Sequence, residues 1–356
     1  CLSDNLSDLK AQIAANTRGI NLIQTLFNEY GTQTVQRYMY AIQATAESAV
    51  RSLLKELYQK FNGQPLESVD YMDDGTPIRL KVTIDGTNGS AVFDFEGTGP
   101  EVYGSWNAPI AITHSAIIYC LRCMINADVP LNQGCLAPID IRVPSSSILS
   151  PSKTAAVVGG NVVTSQRITD VVFKAFQACA ASQGCCNNLT FGTDAKLDPT
   201  TGAVITPGFG YYETIAGGSG AGPTWKGESG IHVHMTNTRI TDPEILEKRY
   251  PTMLRQFTLR GGSGGQGKNP GGEGVIRDIE FLSPIQCSIL SERRVHRPYG
   301  LEGGQDAQTG FNLWITRDPD TGNERRVNIG GKNTVSMKTH DRVVINTPGG
   351  GGWGAV

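Results

Sequence analysis

Long apolar runs are missing from this chain of 356 residues. No stretch approaches the roughly 18–20 apolar residues that a membrane-spanning helix needs. An excess of charge is missing as well, because 31 Lys and Arg residues nearly balance 33 Asp and Glu residues. The formal net charge of −2 gives no uniform attraction to nucleic acid or to an anionic membrane. The composition therefore predicts neither kind of partner.

Targeting signals are also missing, since the N-terminal residues lack the basic and apolar segments of a secretory signal. The first residue is not Met, so we expect a fragment or a processed chain. The cysteines lack the dense, regular spacing of a disulfide framework, which favours a reducing, cytoplasmic location. They are Cys1, Cys120, Cys123, Cys135, Cys179, Cys185, Cys186 and Cys287.

Glycine, in contrast, is abundant and unevenly distributed. The chain has 43 glycines, and 28 of them lie in residues 208–356. Glycine is the residue that most often marks turns and irregular strands. The second half of the chain is therefore predicted to be rich in turns and β-structure.

The apolar residues of the first 60 positions recur every three or four residues, which predicts two helices. Gly31 separates them as a C-cap, and Thr32 can begin the second helix. Near residue 75 the period changes to two, which predicts a β-hairpin around the turn at 85–89. We therefore predict an α+β fold in which a helical hairpin packs on a glycine-rich mixed body.

The predicted organisation has three parts. Residues 1–60 form the helical hairpin, residues 61–205 an α+β region with the substrate-pocket loops, and residues 206–356 a glycine-rich β region. Nothing in the sequence reads as a flexible linker between them. We expect one domain or two intimately packed domains.

One candidate site lies at the start of a helix predicted over residues 166–180. Asn161, Ser165, Gln166 and Arg167 follow the pair Gly159-Gly160, and amide groups at a helix N-terminus favour an anionic ligand. Ordinary capping by Ser165 or Thr164 explains the pattern equally well.

A second candidate is the segment 232–239. In a strand, the side chains of His232 and His234 would point to one face and share a ligand. Two histidines alone do not make a metal site, and we predict no metal site on this chain. Asn237 adds hydrogen-bonding capacity, and Arg239 can grip a carboxylate or pair structurally.

Two further polar positions complete the candidates. Glu213 lies between aromatic residues and a glycine loop, where burial would raise its pKa toward that of a general base. A surface strand residue is the alternative. Asn187 and Asn188 follow the pair Cys185-Cys186. We interpret these two cysteines as buried thiols and not as a nucleophile, because no adjacent His or Asp could activate a thiol.

The segment 262–268 matches most of a phosphate-binding loop. However, Asn269 stands where a Ser or Thr should hold Mg²⁺, and Pro270 opposes the helix that should follow. A glycine loop between two strands is the better prediction.

Several long segments, taken together, resemble the hydantoinase B family, in particular the C-terminal part of ATP-dependent 5-oxoprolinases. The resemblance covers essentially the whole chain. The matching segments are DLKAQIAANTRG (8–19), NAPIAITHSAIIYCLRC (107–123), VVGGNVVTSQRITDVV (157–172), ASQGCCNNLTFG (181–192), YYETIAGGSGAG (211–222), HVHMTNTRITDPEILEKRYP (232–251) and TPGGGGWG (347–354).

The resemblance implies ATP-coupled hydrolysis of 5-oxo-L-proline to L-glutamate, a reaction on a cyclic amide within glutathione metabolism. In the family, ATP and Mg²⁺ bind a companion hydantoinase A region, and an upstream segment rich in Asp and His is suited to a divalent metal. We therefore expect no cofactor on this chain, inactivity of the chain alone, and a homo-oligomer. A hydantoin-hydrolysing or ketone-carboxylating relative, or a non-catalytic assembly scaffold, is the alternative.

The expected pocket lies where the candidate segments meet. Arg167 or Arg239 would clamp the substrate carboxylate, and His234 or Glu213 would handle a proton. The lactam would be contacted by the side-chain amides of Asn161, Asn187 and Asn188. The remaining substrate-binding candidates are Ser165, His232 and Asn237.

Overall fold

A computed structural model describes residues 2–318 and 320–356, so Cys1 lies outside the described residues. Five α-helices occur in this part of the chain: α1 Leu2–Tyr30, α2 Thr32–Lys60, α3 Ile110–Met124, α4 Ser165–Ala175 and α5 Pro243–Arg249. The strands are β1 Leu66–Tyr71, β2 Pro77–Asp85, β3 Ser90–Asp94, β4 Ile139–Arg142, β5 Asn188–Thr193, β6 Lys196–Leu197, β7 Val204–Thr206, β8 Phe209–Glu213, β9 Thr252–Arg260, β10 Gly274–Phe281, β11 Ile285–Leu290, β12 Phe311–Arg317, β13 Glu324–Asn328, β14 Lys332–Met337 and β15 Arg342–Asn346.

The two N-terminal helices are separated by Gly31 alone, whose φ of 78° interrupts the helical path. The second half of α2 packs on the body through buried residues such as Val50 and Leu54. In α1, from residue 4 onward, Gly19 and Phe27 are partly buried and every other residue is exposed. The apolar seam of α1 is therefore exposed and is not covered by α2 or by the body.

The first core is built by α2, α3, α4 and a four-stranded sheet of order β1-β2-β3-β4. Strands β1, β2 and β3 run antiparallel, and β4 pairs in parallel with β3. The alternating residues of β2 place Ile78, Leu80 and Val82 in the core, as the period of two predicts. Helix α4 lies against β1, β2 and α3, so its N-terminal turn is fixed from three sides.

The second core lies between two antiparallel sheets. One has the order β13-β12-β15-β10-β9 and the other the order β14-β11-β5-β8, and both contribute apolar residues to the core. The first core ends in sequence at Cys185 and the second begins at Leu189. The change from one core to the other thus lies between Cys185 and Leu189.

Glycine-rich segments in the second half of the chain lie with their backbones in direct contact. The Gly350 amide donates to the Gly272 carbonyl over 2.9 Å, and the Gly272 amide donates to the Ser219 carbonyl over 2.9 Å. A Cβ on Gly271 would lie 1.9 Å from the Gly350 oxygen, and a Cβ on Gly350 would lie 1.9 Å from the Ser219 oxygen. Many of these glycines are therefore required by close backbone approach and not by turns.

The α+β class is confirmed, with 28% helix and 27% strand. The two N-terminal helices and the 78–95 hairpin are also present. Among the described residues, no helix combines the length and apolar character needed to cross a membrane.

Candidate active site

Helix α4 begins with a wide turn of π-helix over Gly160–Thr164. Gly160 packs against the backbone of Asn107, whose oxygen would lie 2.5 Å from an added Cβ. Ser165 does not cap the helix from outside, because it is already helical and its hydroxyl donates to the Asn161 carbonyl over 2.7 Å. Ser165 is buried and Asn161 is exposed, so the two side chains do not share one pocket surface. Helix α4 also ends at Ala175, earlier than the predicted residue 180.

Arg167 belongs to a buried ion network and not to a substrate clamp. Its guanidinium donates to Glu292 over 3.0 Å and to the Tyr71 carbonyl over 2.8 Å, and it lies 3.4 Å from Asp70. The side chain is fully buried. With two carboxylates already on the guanidinium, Arg167 is not available to a substrate carboxylate.

Arg293 completes this network from the other side. It contacts Asp70 and Asp170 at 2.6 Å each. Burial would raise the pKa of Asp70, but the charges of Arg293 and Arg167 outweigh burial and lower that pKa to about 2. The network joins β1, α4 and the segment after β11, so its first role is to fix these elements together.

Glu213 is also committed to a structural ion pair. Its carboxylate accepts from Arg277 Nε over 2.6 Å and from an Arg277 Nη nitrogen over 3.0 Å. The Tyr211 hydroxyl donates to the same carboxylate over 2.5 Å. Glu213 and Arg277 are both buried, and the three donors already occupy the carboxylate that a substrate would have to reach.

Asn187 and Asn188 differ in whether their side-chain oxygen already has a hydrogen-bond partner. The Asn187 side chain donates to Gln183 over 2.8 Å and accepts from Arg294 over 2.6 Å, and the residue is fully buried with a φ of 45°. Asn188 donates to the Tyr212 hydroxyl, but its side-chain oxygen is buried and has no partner. Asn187 is thus a structural residue, whereas Asn188 retains an open acceptor.

The segment 232–239 has no extended strand, so the two histidines do not share one strand face. His232 Nε2 lies 3.2 Å from the Thr214 carbonyl oxygen. The side chains of Asn237 and Arg239 are exposed.

Gln166, one of the polar residues noted in the sequence at the start of this helix, joins three candidate segments. Its side-chain nitrogen donates to the Val233 carbonyl over 3.0 Å and to Thr236 Oγ1 over 2.8 Å. The Cys186 sulfur lies 2.9 Å from the same Thr236 hydroxyl. The start of α4, the 185–188 loop and the 232–239 segment therefore meet around one buried polar cluster.

His234 is the most unusual residue at this junction. It has a φ of 51°, uncommon for a residue other than glycine. Its Nδ1 lies 3.1 Å from the Tyr119 hydroxyl, and its ring packs against Tyr119 and Phe173. Nε2 is buried without a hydrogen-bond partner, 3.9 Å from an Asp170 oxygen. Burial lowers the pKa of His234, and Asp170 opposes this only in part, so the imidazole is neutral near pH 7.

A cavity of about 540 Å³ opens beside His234. Most of its wall is apolar, and the wall includes no Asp or Glu. Arg122, at the end of α3, contributes a guanidinium whose Nη1 is buried and unpartnered. The lining residues are Ser115, Ile118, Tyr119, Arg122, Cys123, Leu131, His234 and Met235. The sequence analysis missed Tyr119 and Arg122, because helical periodicity alone assigned this segment to the core.

The loop 262–268 has no free phosphate cradle. The amides of Ser263 and Gly264 donate to Glu273, and the amide of Gly265 donates to the Gly350 carbonyl. Backbone amides bind phosphate only when they are unoccupied. No cluster of three or more His, Cys, Asp or Glu suited to a metal ion occurs in residues 2–318 and 320–356.

The family model described as Hydantoinase B/oxoprolinase matches residues 1–356. The chain belongs to this family. The chain is 57% identical to 5-oxoprolinase 1 of Arabidopsis thaliana and 54% identical to 5-oxoprolinase of Dictyostelium discoideum. Each match covers 99% of this chain and 27% of the relative, so the chain spans about a quarter of their length.

The fold of this hydantoinase B chain is shared with an ATP-dependent caprolactamase from Pseudomonas jessenii. The TM-score is 0.80 at 20% identity, and the match covers 98% of this chain and 61% of the other. At this identity the likeness establishes the fold alone.

Proposed function

We propose that this chain supplies the substrate cavity of an ATP-dependent 5-oxoprolinase, which opens 5-oxo-L-proline to L-glutamate. The observation that supports the lactam most strongly is the identity of 54–57% to 5-oxoprolinases over 99% of the chain. The cavity beside His234 is the candidate site, because a histidine and an arginine line an otherwise largely apolar wall.

In this proposal, ATP supplies phosphoryl transfer to the lactam carbonyl oxygen, which makes the carbonyl carbon susceptible to water. The chain's own residues bind the ring and manage a proton. The ring nitrogen must gain a proton when the C–N bond breaks, and a neutral imidazole can relay it. His234 is suited to that role because Tyr119, Phe173 and Asp170 fix its ring and burial keeps it neutral. Asn188, with its open side-chain oxygen, is the remaining amide candidate.

The ATP site and any divalent metal are assigned to other regions of the longer enzyme, a hydantoinase A-type region among them. The occupied amides of the 262–265 loop support this assignment. The chain alone is therefore expected to be inactive and to show no calorimetric binding of Mg-ATP at 100 μM. A cytoplasmic place in glutathione metabolism and assembly into a homo-oligomer belong to the same proposal.

The test is glutamate formation from 5-oxoproline and ATP by the full-length enzyme carrying His234→Gln. We expect kcat to fall about 100-fold or more, within the range for loss of a general acid–base. His340→Gln is the matched control, since the His340 side chain is 68% exposed and is not part of the cavity lining. Normal activity of His234→Gln would exclude the cavity as the proton-handling site. Absence of 5-oxoproline turnover in the unaltered enzyme would refute the lactam itself and favour a hydantoin, a ketone or an assembly role.

A further inference from the structure

We propose that Arg122 binds the carboxylate of the substrate and makes the His234 cavity selective for lactams that carry an anionic group. This inference rests on the proposed function and concerns substrate selection at the same site. Without Arg122 the cavity would hold a bare lactam ring as well as 5-oxoproline.

The first argument is that Arg122 lacks an internal partner. Its Nη1 is buried, and no hydrogen bond or ion pair within the described residues involves its side chain. A partly buried guanidinium without an anion is unfavourable, because it loses hydration with no compensation. The other buried arginines discussed above, Arg167, Arg277 and Arg293, all pair with carboxylates.

The second argument is the charge of the cavity. No acidic residue lines it, and His234 is neutral at pH 7, so Arg122 is the single charged group of the lining. Asp170, the nearest carboxylate to His234, is held at 2.6 Å by Arg293. The cavity therefore carries a net positive charge that is complementary to one carboxylate.

The third argument is the chemistry of the walls. Ile118, Leu131 and Met235 offer an apolar surface to a hydrocarbon ring, and the lining also includes the hydroxyl-bearing residues Ser115 and Tyr119. The planar guanidinium of arginine matches a carboxylate in bidentate geometry. A small ring with one carboxylate and one amide is thus complementary to all three parts of the lining. Arg122 lies in the last turn of α3, where a basic residue also suits the helix dipole, but a dipole interaction does not require a buried, unpartnered Nη1.

The experiment compares two ligands in the full-length enzyme. 5-Oxo-L-proline carries the carboxylate, and 2-pyrrolidinone has the same ring without it. For Arg122→Gln we expect the dissociation constant of 5-oxo-L-proline to rise about 10- to 150-fold, the loss typical of a charge-assisted hydrogen bond. Binding of 2-pyrrolidinone, measured by saturation-transfer NMR, should stay within about twofold. Arg122→Lys should recover part of the affinity, because it retains the charge without the bidentate geometry.

Arg326→Gln is the matched control, since Arg326 is an exposed arginine in a surface ion pair. Equal weakening of both ligands by Arg122→Gln would mean that Arg122 only supports the cavity wall. Unchanged binding of 5-oxo-L-proline would place its carboxylate elsewhere while leaving the proposed function intact. If the unaltered enzyme neither binds nor converts 5-oxo-L-proline, the proposed function and this inference both fail.

Discussion

At the scale of single residues, the fully buried arginines that pair with carboxylates have a structural role, distinct from the chemistry proposed for the cavity. Arg293 holds two carboxylates, from β1 and from α4, with all three side chains buried. Removing one partner of a buried ion pair leaves uncompensated charge in the interior. Such a residue is expected to govern stability and to leave the cavity chemistry unchanged.

We predict that Arg293→Met lowers the free energy of unfolding by about 3–5 kcal/mol. Urea denaturation of the chain measures this loss. Arg326→Met removes an exposed ion pair and should cost no more than about 1 kcal/mol. Similar small losses for both variants would show that the network contributes little to stability.

His234 gives stability a dependence on pH. Its pKa in the folded chain is lowered by burial, below the unfolded value of about 6.5. The unfolded chain then binds the proton more readily than the folded chain. The contribution of neutral His234 to the free energy of unfolding is therefore complete above about pH 6.5 and is lost as the pH falls below this value. We predict that the unaltered chain loses stability between pH 7 and pH 5 more steeply than His234→Gln does. Parallel pH profiles of the two proteins, from urea titrations, would contradict this.

Sequence reasoning at this scale identified residue types correctly but not their partners. It singled out Glu213 and Arg167 as polar residues of interest, and both are buried in ion pairs with Arg277 and Glu292. The partners lie 64 and 125 positions away in sequence, and no local pattern encodes such distances. Arg122 shows the opposite case. Its helical segment was interpreted as part of the core, and only the three-dimensional structure reveals that its side chain has no partner among the described residues.

At the scale of elements, α1 is a helix with a seam and no partner. Leu6, Leu9, Ile13, Ile20 and Ile23 are separated by three, four, seven and three residues, and each is at least 44% exposed. This is the spacing of a coiled-coil seam, and helices in proteins are stabilised mainly by packing of such a face. The charged residues at positions flanking this seam are few, which favours pairing with the same helix of a second copy over a charged partner.

We predict that the chain self-associates through α1 at tens of micromolar. Replacing Ile13 and Ile20 by Gln should shift the sedimentation coefficient to that of a monomer, while Ala11→Gln on the opposite face should not. A strict monomer before any substitution would contradict the prediction, and association unaffected by the double substitution would place the interface elsewhere. The sequence predicted this helix well because it is periodic, but periodicity does not reveal what covers a seam.

At the scale of the whole molecule, the glycine-rich segments hold the second half of the chain together. The sequence analysis interpreted their abundance as turns. The structure instead requires many of them where two backbones meet, as at Gly271 and Gly350. Composition reveals that glycine is needed, but which segments approach each other is a property of the folded chain.

We predict that Gly271→Ala lowers the free energy of unfolding by at least about 3 kcal/mol, at or beyond the upper range for overpacking. The added Cβ would lie 1.9 Å from a backbone oxygen that cannot move independently. Gly261→Ala in the same loop is the control, because no atom lies within 4 Å of its Cβ position. Its effect should stay within about 0.5 kcal/mol. Thermal or urea unfolding distinguishes the two, and equal stabilities would show that the backbones separate easily.

The pairing of residues 349–352 with earlier segments also determines the order in which the molecule folds. Residues 218–222 and 264–272 leave the ribosome well before residue 350, whose backbone joins them. Contacts so distant in sequence require loop closure before they contribute energy, which slows folding. The fully buried apolar residues of the first core all precede Leu189 and can pack during synthesis, whereas Glu292 and Arg293 join its ion network later. The amides of Gly218 and Gly265 therefore gain their native acceptors, the carbonyls of Pro348 and Gly350, only after those residues have been synthesised.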